Sequence, residues 1–363
     1  MVPGPGLVTR KGFYRMRSGM PETGTLPKGI FREAGQMNIA LTYFCNQRCS
    51  YCFGKDAMSL QRGSPESREM TQENLCTVMR FMKHSRQRQF CMIGGEPTLH
   101  SRFQDMYESV SENGFSVMLF SNGVIDRNKV DFLSGRDNLD TILLNIREPK
   151  EYGPADWEKI TYTLSRLHKK ITLSFRVYKL HFDPGFLFDL IDAYKLTRLI
   201  NWAIACPSLV ARNESIRLKE HEKVVERMVK FSRESGRRKI RWYSDSGFIW
   251  CAFSGGKLET LRKNVDFMPI TNCSPAIEVA PDLRVFRCYG LAPASEKGLK
   301  ITDFKNLQEA EHYFFKKSLP LKRVGGMEKC FTCEHIISQK CGGGCMVHIL
   351  KNFPDHNKAP IIF

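Results

Sequence analysis

The stretch MNIALTYFCNQRCSYC, residues 37–52, joins a short apolar run to three closely spaced cysteines. The apolar run predicts a first strand at residues 38–43, and Cys45, Cys49 and Cys52 follow it with the spacing C-x3-C-x2-C. Three thiolates on one loop can hold three irons of a cubane cluster and leave the fourth iron open to another ligand. A structural zinc site takes four protein ligands, and this loop has neither a histidine nor a fourth cysteine. The spacing therefore favours an iron–sulfur cluster over zinc or a disulfide.

Outward from this loop, short apolar runs alternate with amphipathic stretches. Five further strands are predicted at residues 91–93, 116–120, 141–144, 172–177 and 199–203. Helices are predicted around residues 71–84, 102–113, 127–134, 155–169, 185–196 and 218–235. This alternation indicates βαβ units and a mostly parallel sheet, and six such units predict an α/β barrel or partial barrel. Active sites of such sheets gather at the carboxyl ends of the strands.

Two more motifs stand at the ends of predicted strands. Gly94-Gly95-Glu96-Pro97 directly follows the second strand, where glycines let the backbone approach a ligand and Glu96 can receive an ammonium group. Ser121-Asn122-Gly123 ends the third strand. Together with the cysteine spacing and the aromatic Tyr51 before the last cysteine, these motifs resemble the radical S-adenosylmethionine (SAM) superfamily.

The resemblance implies a partial (βα)6 barrel of TIM type and a particular chemistry. In this family a 4Fe–4S cluster on the three cysteines binds SAM through its open iron. Reductive cleavage of SAM gives a 5′-deoxyadenosyl radical, which abstracts a hydrogen atom from the substrate. The residues that the resemblance implies for SAM binding are Tyr51, Gly94, Gly95, Glu96, Pro97, Ser121, Asn122, Asn145 and Arg176. For Asn145 and Arg176 a structural polar role is the alternative.

A second group of cysteines lies in the last quarter of the chain, at Cys273, Cys288, Cys330, Cys333, Cys341 and Cys345. The pattern resembles the SPASM extension, which carries auxiliary iron–sulfur clusters in radical SAM enzymes that modify peptides and proteins, and the shorter Twitch extension, which carries one cluster. It departs from the usual seven cysteines. The gap before Cys341 is seven residues, Leu283 replaces a glycine, and no cysteine follows Cys345.

The ligand sets implied by the resemblance are Cys273, Cys288 and Cys345 for one cluster, and Cys330, Cys333 and Cys341 for another. Each set lacks one cysteine, and the missing ligand is left open between His348, Cys251, water, substrate or none; a single cluster is a further alternative. A zinc site is the competing metal prediction, on Cys330, Cys333, Cys341 and Cys345. Cys76, Cys91, Cys206 and Cys251 are scattered, and most of them are predicted to be small buried residues.

Two side chains are candidates for the catalytic step itself. Tyr289 follows Cys288, where sulfatase-maturating relatives carry an acid, and could donate a proton or a hydrogen atom. Cys251 could return a hydrogen atom to a substrate radical, as cysteines do in radical epimerases. A buried structural role is the alternative for both residues. His335 is a further candidate metal ligand.

Composition sets the remaining expectations. Lys and Arg outnumber Asp and Glu by 55 to 38, and this net charge of +17 suits an acidic partner or a solvated basic surface. The thirteen cysteines come without an export signal or a membrane-length apolar run, which predicts a cytoplasmic protein. The predicted divisions are an N-terminal arm at 1–35, the barrel at 36–236, and the auxiliary-cluster domain at 237–363.

The predicted function is radical SAM modification of an acidic or neutral peptide or protein, as an oxidoreductase or maturase. The change would be a crosslink, an epimerisation, an oxidation or a thioether within a ribosomally made peptide. A flavodoxin- or ferredoxin-like protein would supply electrons, and neither a membrane nor a nucleic acid is expected as a partner. The alternatives are oxidation or epimerisation of a sugar or aminocyclitol, and a metal-containing nucleic-acid module without catalysis.

Overall fold

A nine-stranded sheet carries the fold in the computed structural model, which describes residues 36–59, 68–245 and 247–352. The strands are β1 (Met37–Thr42), β2 (Gln89–Gly94), β3 (Ser116–Ser121), β4 (Leu139–Asn145), β5 (Ile171–Val177), β6 (Leu199–Ile204), β7 (Arg241–Ser244), β8 (Ile277–Val279) and β9 (Val285–Phe286). Their order is β7-β6-β5-β4-β3-β2-β1-β8-β9, and every pair is parallel except the antiparallel pair β8–β9. The predicted mixed α/β fold with a mostly parallel sheet is thus confirmed.

Helices connect the strands and continue through the C-terminal part. They are α1 (Lys55–Ser59), α2 (Gln72–His84), α3 (Phe103–Glu112), α4 (Arg127–Ser134), α5 (Pro154–Leu167), α6 (Gly185–Tyr194), α7 (His221–Arg237), α8 (Lys257–Val265), α9 (Leu307–Val324), α10 (Glu334–Ile337) and α11 (Met346–Asn352). The helix α2 begins where the Thr71 hydroxyl accepts a hydrogen bond from the Asn74 N–H at 3.1 Å, which satisfies one of the free amides of its first turn. All six predicted strands and all six predicted helices are present.

The two faces of the sheet differ in polarity. Ile39 and Leu41 of β1 lie in one apolar cluster with Leu75 and Val78 of α2, so this face packs against the helices. Since successive strand side chains alternate, Asn38 lies on the opposite, concave face. There its Nδ2 donates to Glu278 Oε1 of β8 at 3.0 Å. The concave face therefore carries buried polar groups in the interior of the partial barrel.

Strands that follow residue 236, the predicted end of the barrel, also belong to the sheet. β7 pairs with β6, and β8 pairs with β1, so both complete the barrel sheet although they follow that boundary. The division at 236 stays a proposal, and the predicted arm at 1–35 lies outside the described residues. In the described part of the chain, no helix is long and apolar enough to cross a membrane.

Candidate functional site

The three cysteines of the first loop lie together at the carboxyl end of β1. Cys45 is exposed, Cys49 and Cys52 are half-buried, and the Cys52 N–H donates to the Cys49 carbonyl at 3.3 Å. The thiol of Cys45 interacts electrostatically with those of Cys49 and Cys52. Burial raises the pKa of Cys52, so a positive partner such as iron is needed to hold its thiolate. This donor set of three clustered thiols fits a cubane cluster with one open iron.

The Gly94–Pro97 segment lies directly against the cysteine loop. The Gly95 N–H donates to the Thr42 carbonyl at 2.8 Å, and the Glu96 N–H donates to the Phe44 carbonyl at 2.8 Å. A Cβ placed on Gly95 would overlap the Phe44 carbonyl oxygen and lie 2.9 Å from Cys45 Cβ. Only glycine allows this approach, so the segment is held beside the cluster-binding loop.

The Glu96 carboxylate accepts hydrogen bonds from residues of its own segment and of the end of β3. It is fully buried and accepts hydrogen bonds from Thr98 Oγ1 at 2.8 Å, Ser121 Oγ at 3.0 Å and the Asn122 N–H at 2.8 Å. These donors occupy the side chain that was predicted to receive an ammonium group. Glu96 thus acts as a positioning residue that joins the segment to the end of β3.

The end of β3 is also joined to the cysteine loop. Asn122 Nδ2 donates to Asn46 Oδ1 at 2.9 Å and lies 3.8 Å from Cys45 Sγ. Asn46 Nδ2 in turn donates to the Val124 carbonyl at 2.8 Å. The predicted Ser121-Asn122-Gly123 turn is therefore part of the same site as the cysteines.

The two weaker predictions from the sequence, Asn145 and Arg176, also lie at this edge. Asn145 Nδ2 donates to the Tyr51 hydroxyl at 2.9 Å, while its Oδ1 is buried with no hydrogen-bond partner among the described residues. Tyr51 stacks on Tyr178, with ring centroids 4.5 Å apart. The Arg176 guanidinium lies 5.3 Å from the Phe53 ring centre and 3.9 Å from an Asp245 carboxylate oxygen. Asn145 thus offers a free acceptor beside the cluster loop.

Tyr289 is buried beneath the cysteine loop. Its ring lies 6.1 Å from that of Tyr43, edge to face. Burial raises the pKa of Tyr289 well above its usual value, so its hydroxyl keeps its proton at physiological pH. Whether it donates that proton to a substrate stays a proposal.

Glu278 was not among the predicted site residues. It is fully buried on the concave face, burial raises its pKa to about 8, and its Oε2 has no hydrogen-bond partner among the described side chains. The Glu278 carboxyl interacts electrostatically with Asp245 and with Arg176. One signal could have found it, because a carboxyl between Ile277 and Val279 in a short apolar run is unusual for a buried strand.

The C-terminal cysteines form two groups. Cys273 and Cys345 are hydrogen-bonded through their thiols, and Cys288 interacts electrostatically with both. Cys330, Cys333 and Cys341 instead line a cavity of about 60 Å³. A role of these two groups as cluster ligands stays a proposal. Because Cys345 lies with Cys273, the structure disfavours the alternative zinc set, which needs Cys345 beside Cys330.

Two scattered cysteines join these groups. Cys206 shares a thiol hydrogen bond with Cys345, and Cys251 lines the cavity with Cys330 and Cys341. Of the four scattered cysteines Cys91 is buried, Cys206 and Cys251 are half-buried and Cys76 is exposed, so the prediction that most of them are buried is wrong. Across the described ranges, no three His, Cys, Asp or Glu side chains are placed to hold a single metal ion.

The two candidate histidine ligands differ in position. His348 Nε2 is hydrogen-bonded to the Ile216 carbonyl at 2.9 Å, and its ring faces His221 at 5.9 Å. Burial lowers the pKa of His348 to about 4, so it is neutral and has a structural partner. His335 packs on Trp250 and lines the cavity that holds Cys330. The backbone partner of His348 argues against a role as metal ligand. His335 lies close to the Cys330 group, and a ligand role for it stays a proposal.

We expect Gly95→Ala to destabilise the site strongly. Its new Cβ would overlap the Phe44 carbonyl, which costs at least about 2 kcal/mol in the free energy of unfolding and displaces Cys45. Anaerobic urea unfolding and the iron content after reconstitution measure both effects. Gly153→Ala is the control, because a Cβ there meets nothing within 4 Å. Equal stability and iron content in both variants would contradict the close approach.

The cysteine loop and the strands beside it lie in a part of the chain that matches a known family. The sequence profile of the radical SAM superfamily matches residues 39–182. A curated protein of Methanocaldococcus jannaschii, "Putative glycyl-radical enzyme activating enzyme", is 29% identical over 131 residues, which are 36% of this chain and 45% of the relative. The chain thus matches less than half of that relative's length.

Solved structures show the same fold. The crystal structure of Streptococcus suis SuiB bound to precursor peptide SuiA matches with a TM-score of 0.61 and 14% identity, over 90% of this chain and 74% of SuiB. SuiB bound to S-adenosylmethionine matches with a TM-score of 0.60 and 14% identity, over 90% and 75%. At this identity the likeness concerns the fold alone. Residues 39–182 thus match the radical SAM superfamily, and that family implies a 4Fe–4S cluster and SAM as cofactors.

Proposed function

We propose that this radical SAM enzyme modifies a peptide or protein, with Cys45, Cys49 and Cys52 as the ligands of its 4Fe–4S cluster. The observation that carries the proposal is the pair of cysteine groups beyond the radical SAM domain, around Cys345 and around Cys330. Such additional cluster sites are typical of the SPASM extension of peptide-modifying enzymes. The fold likeness to SuiB, whose structure holds a precursor peptide, supports the same substrate class.

Charge supports an acidic or neutral peptide. The chain has a net charge of +17, which attracts acidic partners and repels polycationic ones. A sugar or aminocyclitol substrate is the alternative within the same superfamily. An aminocyclitol carrying several amines would approach this chain against its net charge.

The chain's own residues would divide the work as follows. When bound, the cluster and SAM supply a 5′-deoxyadenosyl radical that removes a hydrogen atom from the substrate. The glycine carbonyls of the Gly94–Pro97 segment would receive the ammonium group of SAM, and Asn145 Oδ1 would accept a hydrogen bond from its ribose or a neighbouring donor. Glu278 holds a proton at neutral pH on the concave face and offers it to a substrate acceptor.

The proposal is tested by substrate-dependent formation of 5′-deoxyadenosine. The reconstituted enzyme is incubated anaerobically with SAM, dithionite, and either a library of peptides rich in Asp and Glu or a panel of sugars and aminocyclitols. A library of equal length rich in Lys serves as the matched control. We expect only the acidic library to raise 5′-deoxyadenosine formation and to show a mass change. Turnover of the small molecules alone would contradict the peptide assignment.

The electron donor is part of the same proposal. A flavodoxin- or ferredoxin-like protein would reduce the cluster, and replacing dithionite by such a protein in this assay tests that part separately.

A further inference from the structure

We infer that both C-terminal cysteine groups are four-thiolate iron–sulfur sites, and that each is completed by a cysteine from outside the C-terminal motifs. Cys206 completes the set of Cys273, Cys288 and Cys345, and Cys251 completes the set of Cys330, Cys333 and Cys341. The assignment goes beyond the proposed function, because it holds for any substrate.

The cavity beside α10 carries the case for Cys251. Cys251, Cys330, Cys333 and Cys341 all line this cavity of about 60 Å³. The Cys251 thiol interacts electrostatically with those of Cys330 and Cys341. A zinc ion bonded to four thiolates at about 2.3 Å would bring the sulfurs around one point and leave no such space between them. Four thiols around a cavity instead match the larger cubane cluster.

Backbone N–H groups in the same cavity donate to a cysteine sulfur and favour its negatively charged form. The Trp250 and Gly343 N–H groups point at Cys341 Sγ, at 3.5 Å and 3.3 Å. N–H donors to sulfur stabilise the thiolate form and tune a bound cluster. A Cβ placed on Gly325 would lie 2.9 Å from Cys330 Sγ, so this glycine gives the thiol its room. Lys329 also lines the cavity and can offset cluster charge.

The position of Cys251 disfavours its role as a hydrogen donor to substrate. It lies on the short helical turn Trp250–Phe253 before α8. Its thiol shares the cavity with three candidate ligands. A thiolate bound to iron carries no hydrogen atom to donate, so the two roles exclude each other.

A thiol contact carries the case for Cys206. Cys345 is hydrogen-bonded through its thiol to both Cys206 and Cys273. Cys206 follows β6, and its carbonyl accepts from Asn213 Nδ2 at 2.9 Å; the same amide lies 3.3 Å from the Tyr51 carbonyl. The Asn213 side chain thereby connects this cysteine to the loop that carries the first cluster.

Two largely buried cations lie next to this group. Arg287 is 3% exposed, and its Nε has no hydrogen-bond partner among the described residues. Arg287 and the largely buried Lys322 both interact electrostatically with Cys273. Glu311 interacts with Arg287, and a four-thiolate cluster would add negative charge beside both cations.

The test counts irons in a full-length variant without the first cluster. In a Cys45→Ala, Cys49→Ala, Cys52→Ala background, we expect about eight irons and no zinc after anaerobic reconstitution. Adding Cys251→Ala or Cys206→Ala removes about four irons each, or leaves a cluster with an open iron. Such a cluster gives a three-iron electron paramagnetic resonance signal after mild oxidation. In a variant that combines both substitutions, we expect iron loss or the three-iron signal from both clusters.

Two further variants separate a ligand from a structural residue. Cys76→Ala is the matched control, because Cys76 is exposed, and it should keep all irons and give no three-iron signal. Cys251→Ser and Cys206→Ser keep the side-chain size and are expected to shift the resonance spectrum. Circular dichroism checks the fold of each variant. A full iron content with the parent's spectrum in both variants at Cys251, or in both variants at Cys206, or zinc in place of iron, would overturn the inference.

Discussion

A variant with alanine at Cys45, Cys49 and Cys52 is expected to form no 5′-deoxyadenosine from SAM. The three thiols lie together at the end of β1 and are the proposed ligands of the iron to which SAM would bind, so their loss would remove the reductant and the binding site at once. Incubation with SAM and dithionite, followed by chromatography of the products, measures this. The expected loss is complete rather than partial.

Iron content separates loss of the cluster from loss of the fold. The triple variant should lose about four irons relative to the parent and keep those of the proposed C-terminal clusters. Cys76→Ala, on the exposed side of α2, should cleave SAM like the parent. If the triple variant still cleaved SAM, or if Cys76→Ala abolished cleavage, the assignment of the first cluster would be wrong.

The second large effect is a pH-dependent stability that comes from Glu278. Burial raises the pKa of its carboxyl from 4.5 to about 8 in the folded chain. The protonated form therefore stabilises the fold fully below about pH 4.5, and this contribution is lost as the pH rises through about 8. Between pH 6 and the folded pKa of about 8, each pH unit removes about 1.36 kcal/mol from the free energy of unfolding. By pH 9 the total loss is therefore about 3 kcal/mol.

Glu278→Gln isolates this effect. Glutamine keeps the oxygen that accepts from Asn38 Nδ2 but does not ionise, so it resembles the protonated carboxyl. We expect anaerobic urea unfolding to show that this variant loses about 3 kcal/mol less than the parent between pH 6 and pH 9. The exposed Glu112 provides the control, because Glu112→Gln should follow the parent. An identical pH dependence in Glu278→Gln and the parent would show that the carboxyl ionises freely in the fold.

The strands that sequence patterns could predict are those with enough residues to show a period. β1 to β6 each have six or seven residues and alternate with helices, which is a strong signal. β7, β8 and β9 have four, three and two residues, too few for a period to be recognised. Pairing decides their conformation: β7 pairs with β6, β8 with β1, and β9 with β8.

The site residues also divide into those that a local motif could predict and those that only the folded chain brings together. Gly95 and Asn122 could be predicted because each lies in a short motif at the end of a strand. Glu96 lay in the same motif, but its actual partners on β3 could not be foreseen. Cys206 and Cys251 show no spacing relative to the C-terminal cysteines, so only the folded chain brings them to Cys345 and Cys330.

The sequence by itself determined the first cluster loop, because three cysteines within eight residues must share one loop whatever the rest of the chain does. Only the tertiary structure decided which cysteines meet in the C-terminal part and that Glu278 lies opposite Asn38, 240 residues away along the chain. The physical reason is the range of the interactions. Local spacing is set by covalent geometry, whereas contacts between distant segments depend on how the sheet and its helices pack.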